Sequence, residues 1–521
     1  MMPWWVLAVL VVGANFAVWG TVGLCRLVGD QFTKFRGARA RRAGAARVGG
    51  TAQAGAAPAG RVPADGPPAG TAPAGTAPAD SDVPAGTQSP AGVDAALSIV
   101  DTAGACERHP PRRDSLTVHD IAVLIPAHNE AVVIEDSLTA IMKLVPRKNV
   151  HVVSDGSTDR TVQIARKAGA SVIETRENLG KAGALREAIS LFRLVERFAA
   201  VMLLDADTRV QPGYFATALP LFDNPAVVAV AGAVKTSWDR KLSLTGNVLV
   251  GHRQRIYAIG QRALKFGQTS SHLNATHIVP GFASMYRSDV LPRIDMNPPG
   301  LAIEDFNMTF EIYQKRLGKV GFKPSAVAVT QDPDNVRDYV RQTKRWSLGL
   351  WQTVRRHPPR ANLFTAMLSV LLLELVTASL LFLLIPLLLV VLLLPDFGTA
   401  ALSWPWFGAM HAAVAAHVTL RAVFFGIVVP DYALTCLAAL LERRPRLLLC
   451  GVFFPVLRAM DAAIALYAVP LAWLARSSGR WTSPARRNAD SQMAADHPAG
   501  QQIDAVAPLR GTGSSSDVQA S

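Results

Sequence analysis

Carboxylates dominate the residues that could do chemistry, and they fall in short groups. Asp155-Gly156-Ser157, Asp205-Ala206-Asp207 and Glu304-Asp305 follow one another, and Gln342-Thr-Lys-Arg345-Trp346 closes the series. Asp155 stands where an apolar run gives way to a Gly-Ser-Thr turn, a place for a carboxylate to accept hydrogen bonds from a base or a ribose. Asp159, in the same turn, reads as a helix cap. Asp205 and Asp207 end the run Val-Met-Leu-Leu and bring hard oxygen ligands to one rim. Such a pair either suits Mg²⁺ or Mn²⁺ carrying a diphosphate, where the ion neutralises charge on a leaving group, or is a plain acidic turn. Glu304 and Asp305 open a helix, so a carboxylate there either takes the proton from an attacking hydroxyl or complements the helix dipole. Lys181 stands at a helix start, either as a point charge for phosphate or as a solvated lysine. Trp346 offers a flat face to a sugar ring and Arg345 a partner to phosphate; alternatively the two form an anchor at a bilayer edge.

The elements that must position these groups alternate. Short apolar runs at 121–125, 150–153, 171–174 and 200–204 read as strands, and the segments 131–144, 161–168 and 181–198 between them as helices. That alternation predicts an α/β domain with a mostly parallel, Rossmann-like sheet. Polar groups at the C-terminal ends of parallel strands line a ligand crevice, and Asp155 and Asp205 both stand at such ends. A helix is expected over 306–315, opened by Glu304 and Asp305.

The chain has 521 residues and a formal charge of +14. Its arginines gather beside apolar segments, at 36–47, 355–356, 443–444 and 486–487. That placement fits cytoplasmic loops beside a membrane. Nucleic acid is excluded as a partner, because no helix-turn-helix, zinc or aromatic RNA-binding pattern is present. Four cysteines without a C-x-x-C pair give neither a zinc site nor a disulfide framework.

The expected organisation is an N-terminal transmembrane helix at 1–28 and a basic, then Pro/Ala/Gly-rich disordered linker at 29–117. The α/β domain follows at 118–360, then transmembrane or interfacial helices at 361–476 and a basic, then disordered tail at 477–521. Apolar runs at 4–27, 363–394, 407–429 and 447–474 give four spans, with the N-terminus outside. Four spans would leave the arginines of 476–487 outside as well, unless 433–456 lies partly on the membrane surface. Arg458 and Asp461 are spaced to pair on one helix face.

Together these motifs, with their order and the adjoining apolar runs, resemble the membrane-embedded family-2 glycosyltransferases, the group of cellulose, hyaluronan and poly-N-acetylglucosamine synthases. Residues 118–357 carry the resemblance, and Pro126-Ala-His-Asn-Glu130, Ala231-Gly-Ala-Val-Lys235 and residues 279–287 look closest to the poly-N-acetylglucosamine branch. The resemblance implies a GT-A-type fold and inverting transfer from a UDP-sugar to a growing β-linked polymer of N-acetylglucosamine or another hexose. It implies that Asp155 binds uridine, that Asp207 with Asp205 holds the metal and diphosphate, and that Asp305 is the general base. Gln342, Arg345 and Trp346 would bind the acceptor end and the diphosphate, and the spans would carry the product across a plasma membrane from a cytoplasmic domain, with export proteins as further partners. His128, Ser154 and Asn307 depart from the family's usual residues. Two rivals remain open: transfer of a single sugar to a lipid, polyprenyl phosphate or protein acceptor, and a silent membrane scaffold that binds nucleotide-sugar.

Overall fold

The computed structural model describes residues 3–29, 115–238, 241–475 and 477. Apart from a few edge residues, the expected linker at 29–117 and the tail at 477–521 lie outside the described residues.

Eight strands form one sheet: β1 (Ile121–Ala127), β2 (Val150–Ser154), β3 (Ser171–Glu174), β4 (Ala200–Leu204), β5 (Arg209–Val210), β6 (Val227–Thr236), β7 (Ala283–Arg287) and β8 (Lys319–Thr330). Their order is β3-β2-β1-β4-β7-β6-β8-β5. Every residue of β1 is buried, because helices cover both faces of the sheet. The pleat sends Ile121, Val123 and Ile125 to one face, against Ile134, Leu138 and Ile141 of the Ile134–Met142 helix. It sends Ala122 and Leu124 to the other, against Ala184 and Leu185 of the Gly180–Leu191 helix and Met308 and Ile312 of the Glu304–Gln314 helix.

The half of the sheet built from β1 to β4 is parallel, as the alternation requires. The other half keeps one parallel pair, β6 with β8, and adds antiparallel ones, so four of the seven pairings are parallel, as expected. β7 is antiparallel to both β4 and β6, and β5 is antiparallel to β8, so the sheet is mixed. The result is an α/β domain with a mixed sheet and helices on both of its faces. The helix expected over 181–198 stops at Leu191 and resumes at Leu194, because Arg193 takes a left-handed φ of 52°.

Among the described residues three helices are long and apolar enough to cross a membrane: Leu363–Phe397, Leu420–Glu442 and Phe454–Leu474. A bent pair, Trp4–Val12 and Ala14–Gly29, meets at 68° and makes a fourth candidate if taken as one span. The bend falls at Gly13, whose φ of 91° an L side chain rarely adopts. The run 407–429, expected to be one span, is divided at Val418–Thr419 into Pro405–His417 and the start of Leu420–Glu442. Phe454–Leu474 runs beside the amphipathic Val336–Arg356 helix along its length. Tyr339 donates to Asp461, Lys344 lies over the Tyr467 ring, Trp351 packs on Ala468 and Ala472, and Arg355 donates to the Ala472 carbonyl.

The expected Arg458–Asp461 pair does not form. Arg458 reaches Asp431 of the neighbouring helix at 2.6 Å, and Asp461 accepts from Tyr339 instead. A partner on a facing helix outcompetes the one three residues along. Asp431 also takes Arg255 at 3.0 Å, so one carboxylate ties two helices together.

Glu374, the one acidic residue midway along an apolar helix, closes the N-terminal bend. Its two oxygens accept from the Asn15 backbone N–H and side-chain Nδ2, each at 2.7 Å. They cap the start of the Ala14–Gly29 helix inside an apolar surround. Glu374→Leu would leave these donors unpaired and should cost about 1–3 kcal/mol. The expected result is a lowered thermal midpoint of the detergent-solubilised protein with earlier proteolysis near Gly13; an unchanged midpoint would refute the clamp.

Candidate active site

The site is assembled at the C-terminal ends of β2 and β4, where a parallel sheet opens its crevice. Asp155 follows β2 and is fully buried. Its Oδ1 accepts from the Thr175 hydroxyl at 3.0 Å and the Leu179 N–H at 2.8 Å. Its Oδ2 is buried and has no protein partner. An orphaned carboxylate oxygen of that kind is an acceptor waiting for an N–H or O–H. The Leu179 contact also fixes the loop leading into the Gly180–Leu191 helix, and so sets where Lys181 begins.

Lys181 is not a solvated helix-start lysine. Its Nζ lies 2.8 Å from Asp205 Oδ1 and 3.1 Å from Glu304 Oε1, and its side chain is 19% exposed. Burial disfavours the ammonium, but Asp205, Glu304 and Asp305 together outweigh that and hold its pKa well above normal. Burial also raises Asp205, against the pull of Lys181. For Glu304 burial pushes up, yet Lys181 and Arg345 pull it below the ordinary value. Asp305 goes the other way: burial, then the charge of Glu304, push it up to about 7. Two adjacent carboxylates are thus driven apart, one held ionised and one poised to exchange a proton near neutrality.

The antiparallel strand that the sequence did not disclose completes this geometry. Pairing of Leu204 with Ala283 lays the turn before β7 beside Asp205, whose N–H donates to the Phe282 carbonyl at 2.9 Å. Gly281 in that turn donates its N–H to Asp305. A Cβ on Gly281 would fall 2.4 Å from Asp305 Oδ1 and 3.2 Å from Lys181 Nζ, so a side chain there would force the Asp305 carboxylate to move.

Asp207 stands further along the rim and is buried, its Oδ1 accepting from Thr208 at 3.2 Å and Thr330 at 3.4 Å. Among the described residues no cluster of three or more His, Cys, Asp or Glu could hold a metal ion. Asp205 and Asp207 together still fit an ion of the Mg²⁺ or Mn²⁺ kind, which takes one or two carboxylates and completes its shell with substrate phosphate and water. Asp159 serves as structure: it accepts from Thr161 N–H and from Ala131 N–H, each at 3.0 Å.

The Val336–Arg356 helix lies against the segment that opens Glu304–Gln314. A Cβ on Gly349 would come 2.9 Å from that of Ile303, and Ala302 N–H donates to Gln352 at 2.8 Å. Arg345 is exposed, and its charge reaches Glu304. Gln342 Oε1 is buried without a partner. Trp346 packs with Ile303, Phe306 and Leu350, and the Arg253 guanidinium lies 4.5 Å from its ring centroid. One indole face is therefore occupied by protein. Asn307 turns away from the acids, donating to the Asp295 carbonyl at 2.6 Å and meeting His357 at 2.9 Å.

Sequence reasoning missed Thr175, Gly281, Arg253 and Lys265. Burial lowers Lys265 to about 8 against the opposing charge of Asp305. Gly281 lies inside the 279–287 stretch that carried the resemblance, but its role, like those of the other three, depends on a contact across the fold.

Residues 122–294 match the family described as Glycosyl transferase family 2. The poly-β-1,6-N-acetyl-D-glucosamine synthase of Staphylococcus epidermidis is 23% identical over 254 residues, which cover 46% of this chain and 58% of that one. An N-acetylglucosaminyltransferase of Rhizobium leguminosarum bv. viciae is 26% identical over 257 residues, covering 46% and 57%. The chain thus spans somewhat more than half the length of these curated relatives. A solved mannosyltransferase from Pyrobaculum calidifontis, in complex with GDP-Man and Mn²⁺, is 19% identical with a TM-score of 0.44, covering 67% of this chain and 87% of that one.

Gly281→Ala should displace Asp305 by the order of an ångström while leaving the sheet intact. Turnover is expected to fall about 100-fold with nucleotide binding retained; near-normal turnover in a folded variant would refute the packing argument.

Proposed function

We propose that this chain, which carries a glycosyltransferase family 2 domain, transfers N-acetylglucosamine or a related hexose from a UDP-sugar to a growing β-linked polysaccharide, with inversion at the anomeric carbon. The observation that carries the reading is the buried Asp305, raised to about 7 and fixed by Gly281 beside the Lys181–Glu304 pair. The names of the staphylococcal and rhizobial relatives support N-acetylglucosamine as the sugar.

Asp155 Oδ2 accepts the ring N–H of uracil, its other oxygen being committed to Thr175 and Leu179. Asp207, with Asp205 beside it, would hold a Mg²⁺ or Mn²⁺ ion, which supplies positive charge to the leaving diphosphate. Lys181 adds a fixed ammonium on the same rim. Asp305 takes the proton of the acceptor hydroxyl as that oxygen bonds to the anomeric carbon, and the bond from that carbon to the diphosphate oxygen breaks on the opposite face. Arg345 and Gln342 line the approach, and Trp346 beside them offers its indole to the acceptor sugar. The helix carrying them packs directly on Ile303, so acceptor contacts and base move together.

This assignment is tested with protein in nanodiscs, Mn²⁺ and a panel of UDP-sugars, reading UDP release and product length together. A single active donor with long products is expected. Single-sugar products would overturn polymer synthesis. The base must be ionised to act, so the rate should fall roughly tenfold per unit of pH below about 7. Asp305→Asn should lower turnover by about 10²–10⁴ while UDP still binds; substantial turnover in the folded variant would remove Asp305 as the base.

The contacts also support a membrane topology. Both ends of Phe454–Leu474 meet the catalytic domain: Phe454 packs with Leu249 and Tyr339, and Ser477 N–H reaches the Gly300 carbonyl at 3.3 Å. That helix lies along the bilayer surface, and crossings are made by the bent N-terminal pair, Leu363–Phe397 and Leu420–Glu442. The catalytic domain then faces the cytoplasm with the arginines of 443–446 beside it. A cysteine introduced by Ala475→Cys should react with an impermeant thiol reagent only after the cells are opened. Labelling of intact cells would make Phe454–Leu474 a true span.

A further inference from the structure

Where Leu420–Glu442 ends, the chain turns through Arg443, held at a left-handed φ of 52°, and continues as Arg444-Pro445-Arg446. Two cavities open beside this turn. One, of about 610 Å³, is lined by Arg209, Lys235 and Arg262 of the catalytic domain together with Glu442 and Arg444. The other, of about 750 Å³, is lined by Lys241, Arg443, Arg444 and Arg446. They share Trp238 and Arg444, whose guanidinium lies 5.0 Å from the Trp238 ring centroid. The two cavities are therefore one groove with a tryptophan at its waist.

The charge of that groove is one-sided. Among the described residues that line it the one carboxylate, Glu442, is committed to Arg262 at 2.5 Å and Lys235 at 3.8 Å. Among the described residues, Arg443, Arg444 and Arg446 pair with no carboxylate. Three adjacent guanidiniums left unneutralised around a cavity make a site for phosphate oxygens.

Apolar surface adjoins it on the membrane side. Leu440 and Leu449, on either flank of the arginine turn, are each 76% exposed, and Val452 is 68% exposed. A soluble phosphate compound would leave these leucines in water. A molecule with a phosphate head and acyl chains satisfies both surfaces at once.

We propose that this groove binds the headgroup of an anionic phospholipid of the leaflet facing the catalytic domain, the arginines taking the phosphate and Leu440 and Leu449 the chains. The inference rests on the membrane reading above but not on the sugar, the acceptor or the base.

The test uses the full-length protein in detergent micelles doped with phosphatidylglycerol or phosphatidylcholine, with retained lipid counted by native mass spectrometry. Wild type should retain at least fivefold more phosphatidylglycerol, and R443Q/R444Q/R446Q should lose that preference while keeping UDP release in neutral lipid. Should the triple variant not fold, R443Q and R446Q singly, both at exposed positions, carry the same comparison. Equal retention of the two lipids by wild type, or undiminished preference in the variants, would overturn the proposal. So would full displacement of the lipid by millimolar glycerol 3-phosphate, which would assign the groove to a soluble phosphate. Recovery of the protein from the soluble fraction without detergent would overturn the membrane reading along with it.

Discussion

A lysine ammonium buried between two carboxylates governs this structure. Lys181 meets Asp205 at 2.8 Å and Glu304 at 3.1 Å, and those acids belong to segments about a hundred residues apart. Removing three charges from water is costly, and mutual attraction offsets that cost only where geometry is good. Loss of one partner would strand the others. The pairing therefore ties the end of β4, the start of the Gly180–Leu191 helix and the start of the Glu304–Gln314 helix to one point. Asp305 is left beside this cluster, and burial, then the neighbouring charge of Glu304, raise its affinity for a proton.

The frame around that point follows from backbone constraints. Leucine, valine and isoleucine fill both faces of β1, so its end is rigid and the loop after β2 can hold Asp155 in one orientation. The turn before β7 passes so near Asp305 that a side chain at 281 would displace its carboxylate. A site of this precision is better carried on strand ends and helix starts than on long loops. Asp155, Asp205, Lys181 and Asp305 all occupy such positions.

The sequence was most legible where physics is local. Apolar runs of strand length marked β1 to β4, and Asp155, Asp205 and Glu304 stood at element ends that the pattern itself located. It was least legible where a contact joins distant segments. Nothing in Ala283-Ser-Met-Tyr-Arg287 distinguishes an antiparallel strand from a parallel one, since strand direction is set by the connections. The left-handed Arg193 that divides a helix, and the bend at Gly13 held by Glu374, depend on tertiary partners that periodicity does not report. Arg458 and Asp461 show the same limit: helical spacing permits a pair, and a better-placed Asp431 on another helix takes the arginine.

The Val336–Arg356 helix joins the two halves of the protein, and its composition explains how. Gly349 lets it approach Ile303 to side-chain contact, which brings Arg345 within electrostatic reach of Glu304. Its other flank holds Phe454–Leu474 through Tyr339, Lys344 and Trp351. Arg253 lies 4.3 Å from the Tyr339 ring centroid and 4.5 Å from that of Trp346, bridging two turns of that helix from the catalytic side. Through Arg345 the interface with the apolar helices also bears on the proton affinity of Glu304, while burial and Lys181 remain the larger influences on that acid.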